Sequence, residues 1–554
     1  MAKIYSPMSS EALTLSHTLV LMATPETTED RRVRIADADE ELLASLGYKQ
    51  EFKRTFTSFE VFGVAFSIIS LVPSIASSLV YAIPNGGPAS MIWGWLAASF
   101  FILFVGLAMA ELASAAPTSG GLYFWTWTFS SPKYKKILSW LVGYANTIGT
   151  IAGIASIDWG CAVQVMAAAS IGSGGKFVAT TGEYTSVDCE NRLKMNSITH
   201  ISRANLWLFL AVLIALPIAT PAEFRNSGNY PLIEMLIRNS VSGYSDGFVF
   251  FLSWLAPVWT IVLCFSRDIA EDTPPALNIA IAFCMGTNIN AILNSSIGQP
   301  LAAIFFNSFG ERATLGIWSV VVVTQWGMGS SIVLSTSRQV FAFSRDGAMP
   351  FSRILYRINE HTGTPVNTVW FSVLIAALLG LLAFAGEVAI MAVFSYIIPI
   401  GARFVFKQDK FRPGPFTLGP FGLPVATIAI TFMTFVTIIL LFPSRPTPGF
   451  SDMNYATVVM GAVMIGSVVW YYFPKYGGIH WFEGPVSTVD VTDGTSSAHT
   501  RAASTVSFDK GKEKSDARVY EREAHGESVF NLESKLLMGY RLPHGIDLSI
   551  FEKY

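Results

Sequence analysis

Charged residues are scarce in this chain of 554 residues: Asp, Glu, Lys and Arg make up 14% of it, against roughly 25% in an ordinary soluble domain. Because hydrophobic residues reach 51%, a soluble fold of this size could not cover its surface with polar groups. The net charge of −2 provides no overall basic field, so nucleic acid is not an expected partner. The composition instead indicates a polytopic helical membrane protein whose solvent is the lipid bilayer.

Motifs for catalysis and for cofactor or metal binding are also missing. The four cysteines form no CxxC pair, and the chain contains neither HExxH nor GxSxG. The run IGSGGKF fails as a phosphate-binding loop, because the first glycine of GxxxxGK would fall at Ser170 and Phe177 stands where Ser or Thr is required. We therefore expect no enzyme, no cofactor and no metal site, and any transport would be driven by a gradient of an ion or of the substrate.

Long apolar runs predict the membrane spans. A helix needs about 20 apolar residues to cross a hydrocarbon core about 30 Å thick. The segments that reach this length are 59–82, 89–112, 137–170, 247–266, 314–334, 367–385, 421–443 and 455–473. Three further apolar stretches are shorter, at 205–220, 276–286 and 388–401. The stretch 276–286, with about eleven residues, is too short to cross alone.

Lys and Arg residues mark one side of the membrane. They are concentrated in the N-terminal segment, after the second span, after 314–334 where Arg338 and Arg345 lie, and before residue 421. By the positive-inside rule these segments are expected in the cytosol, whereas loops 83–88 and 444–454 are expected outside. The predicted organisation is a cytosolic tail at 1–55, a transmembrane domain at 56–476 and a disordered cytosolic tail at 477–554.

Polar and helix-breaking residues inside the spans are candidates for function. Asp158 lies well inside the third span, where a carboxylate is costly; it either faces a cavity and holds a cation or proton, or forms one interhelical hydrogen bond. Pro73 and Pro257 interrupt two spans, one at the start of each half of the chain. Unwound backbone at mid-membrane can bind a carboxylate, an amine or an ion, so the pair predicts a site between two repeats, although either proline could be a simple kink.

Four stretches resemble known transporters. They are ELLASLGYKQEFKRTFTSFEVFGVAF, PNGGPASMIWGW, ELASAAPTSGGLYFWTWTFSSPKYKK and SRQVFAFSRDGAMPFSRILYRINEHTGTPVNTVW. Together they resemble the fungal amino-acid, GABA and choline permeases of the amino acid–polyamine–organocation (APC) superfamily, over roughly residues 41–480. The resemblance implies an all-α fold of nominally twelve transmembrane helices. The first ten would form two inverted five-helix repeats, with the substrate held between broken helices one and six.

The resemblance also implies particular site residues. It puts the broken part of helix one at residues 70–77 and that of helix six around 259–265. Expected substrate contacts are Ser70, Pro73, Ser74, Ser77, Asp158, Trp259 and Thr260, with the Trp259 ring on a cationic group. Expected structural residues of the shared motifs are Glu111, Pro117, Gly120, Gly121, Arg338, Arg345, Asp346 and Gly347.

The same resemblance implies the function. We expect a permease for amino acids or a related small amine such as GABA, with choline or a polyamine as the alternative substrate. Uptake is expected to be coupled to H⁺ or to exchange, and the plasma membrane is favoured over the vacuolar membrane.

The chain departs from the family pattern in three places. Residues 173–205 hold only a polar stretch where a fourth helix is expected, the seventh helix contracts to 276–286, and the tenth is cut short at AVFSYIIPIGARF. About ten or eleven helices are therefore evident by length. The departures resemble internal deletions, so a truncated membrane protein that does not transport remains an alternative. Losing helices four and seven together still leaves the Arg-rich loops in the cytosol.

Overall fold

The computed structural model describes residues 43–44, 46–48, 68–178, 198–226, 243–262, 274–359, 364–381, 390–406, 411–443, 446 and 454–487. In these ranges the chain forms helices and no β-strand. Four helices are long and apolar enough to cross a membrane, namely Gly87–Ala115, Lys135–Gly172, Pro300–Arg345 and Gly419–Ile439. Shorter apolar helices accompany them. The predicted all-α polytopic architecture is confirmed.

The helices are numbered here in chain order. The first half contains α1 (Leu71–Ala82), α2 (Gly87–Ala115), α3 (Leu122–Phe129), α4 (Lys135–Gly172), α5 (Ile198–Ala219), α6 (Asp246–Leu252) and α7 (Leu255–Val262). The second half contains α8 (Pro274–Cys284), α9 (Ile289–Leu293), α10 (Pro300–Arg345), α11 (Ser352–Leu355), α12 (Val366–Leu381), α13 (Ile390–Val405), α14 (Gly422–Ile439), α15 (Ala456–Tyr472) and α16 (Gly478–Trp481). Within α2, residues Ser90–Gly94 form a π-helical turn.

The limits of the predicted span 314–334 are wrong. Helix α10 runs on to Arg345, and the backbone at Gly310 (φ 73°, ψ 178°) separates residues 300–309 from 311–345. Arg338 and Arg345, expected in a loop, therefore lie in the last turns of the helix. Hydropathy detects only the lipid-buried part of a helix, whereas Arg is a good helix former whose long side chain carries its charge toward water.

The two spans that contain Pro73 and Pro257 are each broken just before the proline. In the first span the non-helical residue is Ser70 (φ 43°, ψ 69°), and Pro73 is the third residue of α1. In 247–266 the helix is interrupted at residues 253–254, and Pro257 is the third residue of α7. The broken part expected at 70–77 is thus confined to Ser70, and the one expected around 259–265 is wrong for residues 259–262, which are helical, while 263–265 lie outside the described ranges. A proline in the first turn needs no intrahelical N–H bond, so the interruption precedes it. Helices α1 and α7 pack against each other.

The structure describes two of the three regions that the sequence predicts to be shortened, and only the ends of the third. Helix α8 has 11 residues, a length of about 16 Å, which agrees with the prediction that this stretch cannot cross alone. Helix α5 begins at Ile198, earlier than the expected residue 205. Residues 179–197 lie outside the described ranges, so the missing fourth helix stays a prediction. Helix α13 has 16 residues and contains Pro399.

The ends of the predicted domain differ from expectation where they are described. Residues 477–487 were expected in the disordered tail, yet Phe482 is fully buried and contacts the Trp140 ring, with ring centroids 5.2 Å apart. Ser487 donates a hydrogen bond to the carbonyl of Gly47 (3.0 Å), joining the two terminal segments. The rest of both tails, and residues 59–67 of the first predicted span, lie outside the described ranges.

Helix α4 is the central packing element. It contacts α10, α3, α13, α12 and α15, and glycines allow two of these approaches. A Cβ added at Gly149 would lie 2.5 Å from the backbone nitrogen of Ala392 in α13. At Gly143 it would lie 2.3 Å from the Phe343 ring of α10. Small residues at helix contacts allow the close packing that associates helices in a membrane.

We expect Gly149→Ala to destabilise the protein by about 1–3 kcal/mol, because the new methyl group meets backbone that cannot rotate away. The measurement is the thermal unfolding midpoint of the purified protein in detergent. Gly316→Ala in α10 is the matched control, since a Cβ there meets nothing within 4 Å. Equal midpoints for the two variants would contradict the close contact between α4 and α13.

Candidate functional site

A cavity of about 270 Å³ lies between α1, α4, α7 and the start of α10. Its polar and aromatic wall includes Ser77, Trp159, Gln164, Trp259 and Gln299. None of its described lining residues is Asp, Glu, Lys, Arg or His. Sites for drug-sized ligands occupy about 300–1,000 Å³, so this cavity suits a small organic solute held by hydroxyl, amide and indole groups.

The predicted contacts on α1 divide into two groups. Ser70 donates a hydrogen bond to Asn205 Oδ1 of α5 (3.0 Å), and Ser74 donates to the carbonyl of Ile69. Both serines are fully buried, and neither they nor Pro73 line the cavity. Ser77 does line it, and its Oγ is buried without a hydrogen-bond partner. Ser70 and Ser74 thus stabilise the helix break, whereas Ser77 is available to a bound solute.

Of the other three predicted contacts, Trp259 lines the cavity, whereas Thr260 and Asp158 do not. The Trp259 ring lines the cavity, and its Nε1–H donates to Ser156 Oγ of α4 at 3.2 Å, which fixes the ring orientation. Thr260 is buried and donates to the carbonyl of Ala256 in its own helix. Asp158 is partly buried in the wall of α4 beside α10: a Cβ at Gly329 would lie 3.1 Å from its Oδ1. Asp158 is not among the residues that line the cavity.

Sequence reasoning missed the amide side chains of the site. Gln164 lines the cavity and is fully buried, and neither its Oε1 nor its Nε2 has a partner. Gln325 of α10 is also fully buried. Gln299 donates to the carbonyl of Ala76 (2.7 Å) and accepts from the N–H of Ala302 (3.0 Å). A buried amide costs free energy unless it is hydrogen-bonded, so an amide in an apolar run is the signal that a search for ionisable residues alone overlooks.

An ion pair joins α2 to α13 at the end of α2. Glu111 is 1% exposed and pairs with Arg403. It also accepts hydrogen bonds from Thr417 Oγ1 and from the N–H of Leu418, both at 3.0 Å. The guanidinium carbon of Arg403 lies 3.6 Å from the centre of the Phe411 ring. The 411–421 segment covers Glu111, so this carboxylate at the end of α2 is shielded from water.

Arg345, Asp346 and Gly347 end α10. The N–H of Gly347 (φ 78°) bonds to the carbonyl of Ser344, and that of Ala348 to Phe343, which is a Schellman termination with glycine at its left-handed position. Asp346 pairs with Arg345 (3.2 Å). Burial raises the pKa of Asp346, although its pairing with Arg345 and its hydrogen bonds act in the opposite direction.

Two terminal segments and α3 meet this end of α10. Tyr123 of α3 donates to Asp346 Oδ2 at 2.7 Å, and the N–H of Val486 donates to Asp346 Oδ1 at 3.3 Å. The Arg345 guanidinium stacks over the Tyr48 ring, 4.0 Å from its centre. The carboxylate therefore holds the C-terminal segment, α3 and α10 together.

The glycines of the PTSGG motif form the entry to α3. Gly121 (φ 48°, ψ −116°) precedes the first residue of α3. A Cβ at Gly120 would approach the Tyr123 ring to 3.0 Å. Pro117 is exposed, and Arg338 is partly buried in α10. These residues shape a packed connection and lie away from the cavity lining.

Comparison with known proteins identifies the family. The model of the amino acid permease family matches residues 56–265 and 244–464, most of the chain. The chain belongs to the amino acid permease family. Its membership confirms the family inferred from the four sequence stretches and, with the apolar helices, a multi-pass membrane protein.

Several curated permeases are similar along most of their length. An uncharacterized amino-acid permease of Schizosaccharomyces pombe is 35% identical over 501 residues, covering 82% of this chain and 90% of that protein. The GABA-specific permease of Saccharomyces cerevisiae is 34% identical, covering 82% and 87%. The amino-acid permease BAT1 of Arabidopsis thaliana is 31% identical, covering 82% and 98%. The chain is therefore a transporter-family protein rather than a member of an enzyme family.

We expect Arg403→Leu to lower the stability of this permease by about 3 kcal/mol, because it leaves the Glu111 carboxylate buried without its cation. The double variant Glu111→Gln, Arg403→Leu should recover part of the loss, since no buried charge then remains. Thermal unfolding of the single and double variants gives the coupling free energy. Additive effects of the two substitutions would show that the pair contributes nothing.

Proposed function

We propose that the chain is a secondary transporter for amino acids or GABA. The observation that carries the proposal is the cavity between the two helices that follow breaks, α1 and α7, with α4 and α10 completing its wall. The family and the similar GABA-specific permease of Saccharomyces cerevisiae support the substrate class. Binding at the junction of broken helices is how many transporters hold a solute near mid-membrane.

The cavity chemistry fits such a solute. The indoles of Trp159 and Trp259 offer electron-rich faces on which an ammonium group is stabilised by about 0.5–2 kcal/mol. The Ser77 hydroxyl and the Gln164 amide offer both donors and acceptors. With no ionisable side chain among the described lining residues, a solute whose opposite charges cancel loses less on leaving water than one with a net charge.

Coupling to H⁺ and location in the plasma membrane are parts of the same proposal. Asp158 is our candidate proton carrier, since its carboxyl group lies between α4 and Gly329 of α10, beside the cavity residue Trp159. Because Asp158 lies where α4 and α10 pack together, protonation of its carboxyl group can alter the packing of these two helices.

A truncated protein that does not transport is the second candidate. The short α8, with its 11 residues, favours it, because a scaffold helix of this length cannot cross the bilayer. The described lining of the cavity, in contrast, comes from α1, α4, α7 and the start of α10.

We expect cells that lack their own permeases to accumulate radiolabelled GABA or amino acids when they express this chain. Trp259→Ala should lower the initial uptake rate about tenfold, since it removes a cation–π contact of 1–2 kcal/mol. Trp470→Ala, at an indole that is 41% exposed on α15, is the control and should leave uptake unchanged. If the chain reaches the membrane but the cells accumulate none of these solutes, the non-transporting alternative is correct.

Proton coupling predicts that uptake rises as the external pH is lowered and disappears when a protonophore is added. Asp158→Asn should remove the pH dependence, because an amide cannot carry a proton, while exchange of internal for external substrate continues. Uptake rates between pH 5 and pH 8, with and without the protonophore, test this. Unchanged pH dependence in the variant would rule out Asp158 as the carrier.

A further inference from the structure

The antiparallel pair α4 and α10 extends from one membrane face to the other. Near one end a Cβ at Gly143 of α4 would meet the Phe343 ring of α10, and near the other a Cβ at Gly172 would lie 3.8 Å from Leu315 Cδ1. These two contacts are separated by about 44 Å of α4. Because the hydrocarbon core is only about 30 Å thick, each contact lies near a different face of the membrane.

Basic residues assign the two faces. Those at the Gly143 end include Lys133, Lys135, Lys136, Arg345, Arg353 and Arg357. Those that the structure describes at the Gly172 end are Lys176, Arg225 and Arg312. By the positive-inside rule the end that is richer in Lys and Arg is cytosolic, so the Gly172 end lies outside.

The segment 289–299, which contains α9, lies at this outer end. Ser170, in the last turn of α4, donates a hydrogen bond from its Oγ to the carbonyl of Ser296 (3.1 Å). After this segment α10 begins at Pro300 and passes the bend at Gly310 before it reaches Leu315. The segment therefore precedes the part of α10 that crosses the hydrocarbon core, and it lies on the outer side of that core.

The outer segment carries an acceptor tripeptide for N-linked glycosylation, Asn294-Ser295-Ser296. The full sequence contains no second tripeptide of the form N-x-S or N-x-T. Asn294 directly follows α9, and both Asn294 and Ser296 are exposed. A glycan is bulky and needs a surface position. A tripeptide inside a span or in a cytosolic loop could not accept it, whereas this one is exposed at the outer face.

We propose that Asn294 is a site of N-linked glycosylation. The donor is an oligosaccharide carried on a lipid pyrophosphate, which a transferase of the cell supplies. Asn294 Nδ2 attacks C1 of this sugar: the C1–N bond forms and the C1–O bond to the pyrophosphate breaks. The amide loses one proton, and the lipid pyrophosphate leaves with the bonding electrons. Ser296 supplies the hydroxyl that the acceptor motif requires at its third position.

A glycan on Asn294 also reports how the chain accommodates the contracted α8. This helix ends at Cys284, shortly before the acceptor, and its length of about 16 Å is too short to cross the bilayer alone. The hydrogen bond from Ser170 to Ser296 nevertheless places the segment that follows α8 at the outer end of α4. Modification of Asn294 requires that the chain emerges at the outer face in spite of the contraction.

The experiment is enzymatic removal of N-linked glycans from the full chain, expressed with an epitope tag in a eukaryotic cell and detected by immunoblot. We expect one downward step in apparent mass, because the chain has one acceptor. Asn294→Gln and Ser296→Ala should each run at the lower mass with or without the enzyme. Ser296→Thr should keep the step, because either hydroxyl completes the motif.

Asn290→Gln is the matched control. Asn290 is exposed in the same short helix but is not part of an acceptor tripeptide, so this variant should keep the step. A wild-type chain whose apparent mass the enzyme does not change overturns the site. A step that persists in Asn294→Gln also overturns it. Neither result depends on transport, so the site and the proposed transport function fail independently.

An acceptor placed on the opposite face tests the assignment of the two sides. His361→Thr converts Asn359-Glu360-His361 into an N-x-T tripeptide after α11, beyond the Arg-rich end of α10. In the Asn294→Gln background this variant should show no step, because the positive-inside rule places this segment in the cytosol. A step in this variant would show that the chain inserts with the opposite orientation and overturns the proposal.

Discussion

The packing of α4 against α10 is the contact on which the rest of the fold depends. Polar side chains join the two helices along their length. Trp318 Nε1–H donates to the carbonyl of Gln164 (3.0 Å), Gln325 Nε2 donates to the carbonyl of Ile157 (3.2 Å), and Gln339 Nε2 donates to Thr147 Oγ1 (3.0 Å). Glycines bring the helices close between these bonds. In lipid no water competes for such groups, so hydrogen bonds and close packing, rather than the hydrophobic effect, hold helices together.

Side-chain amides make the cavity wall polar. Gln164 of α4 and Gln299 at the start of α10 lie in the wall that also faces α1 and α7. The Gln299 amide has a partner: it donates a hydrogen bond to the carbonyl of Ala76 and so holds the backbone of α1 in place. Where an amide has no partner, as with Gln164, it remains available to a solute. Structural and binding roles are thus carried by one residue type, and the difference lies in whether a second helix supplies the partner.

Hydropathy was sufficient for the helices but insufficient for the site. Span positions followed from apolar length alone, because a bilayer forces backbone groups to pair within each helix. Apolar length could not predict that α10 continues beyond residue 334 to Arg345, because its last turns are polar and lie outside the lipid. The break at Ser70 falls at the first residue of the expected range 70–77 and three residues before Pro73, because a proline marks a helix start as readily as a helix break. Only Ser77 and Trp259 of the seven expected contacts line the cavity, since spacing along a helix does not say which neighbour a face meets.

The described residues of the contracted α8 region are not among those that line the cavity. The alignment with the Saccharomyces cerevisiae permease spans 506 positions but uses 82% of this chain, so roughly a tenth of its positions face gaps here. Such gaps agree with the contracted α8 and with the polar stretch before α5. Helix α8 packs mainly against α5 and the π-helical turn of α2, whereas α1, α4, α7 and α10 enclose the cavity. Solute binding needs only the enclosing helices, but alternating access needs a scaffold against which they move. Binding and transport are therefore separable properties of this chain, and a loss of scaffold helices would affect the second before the first.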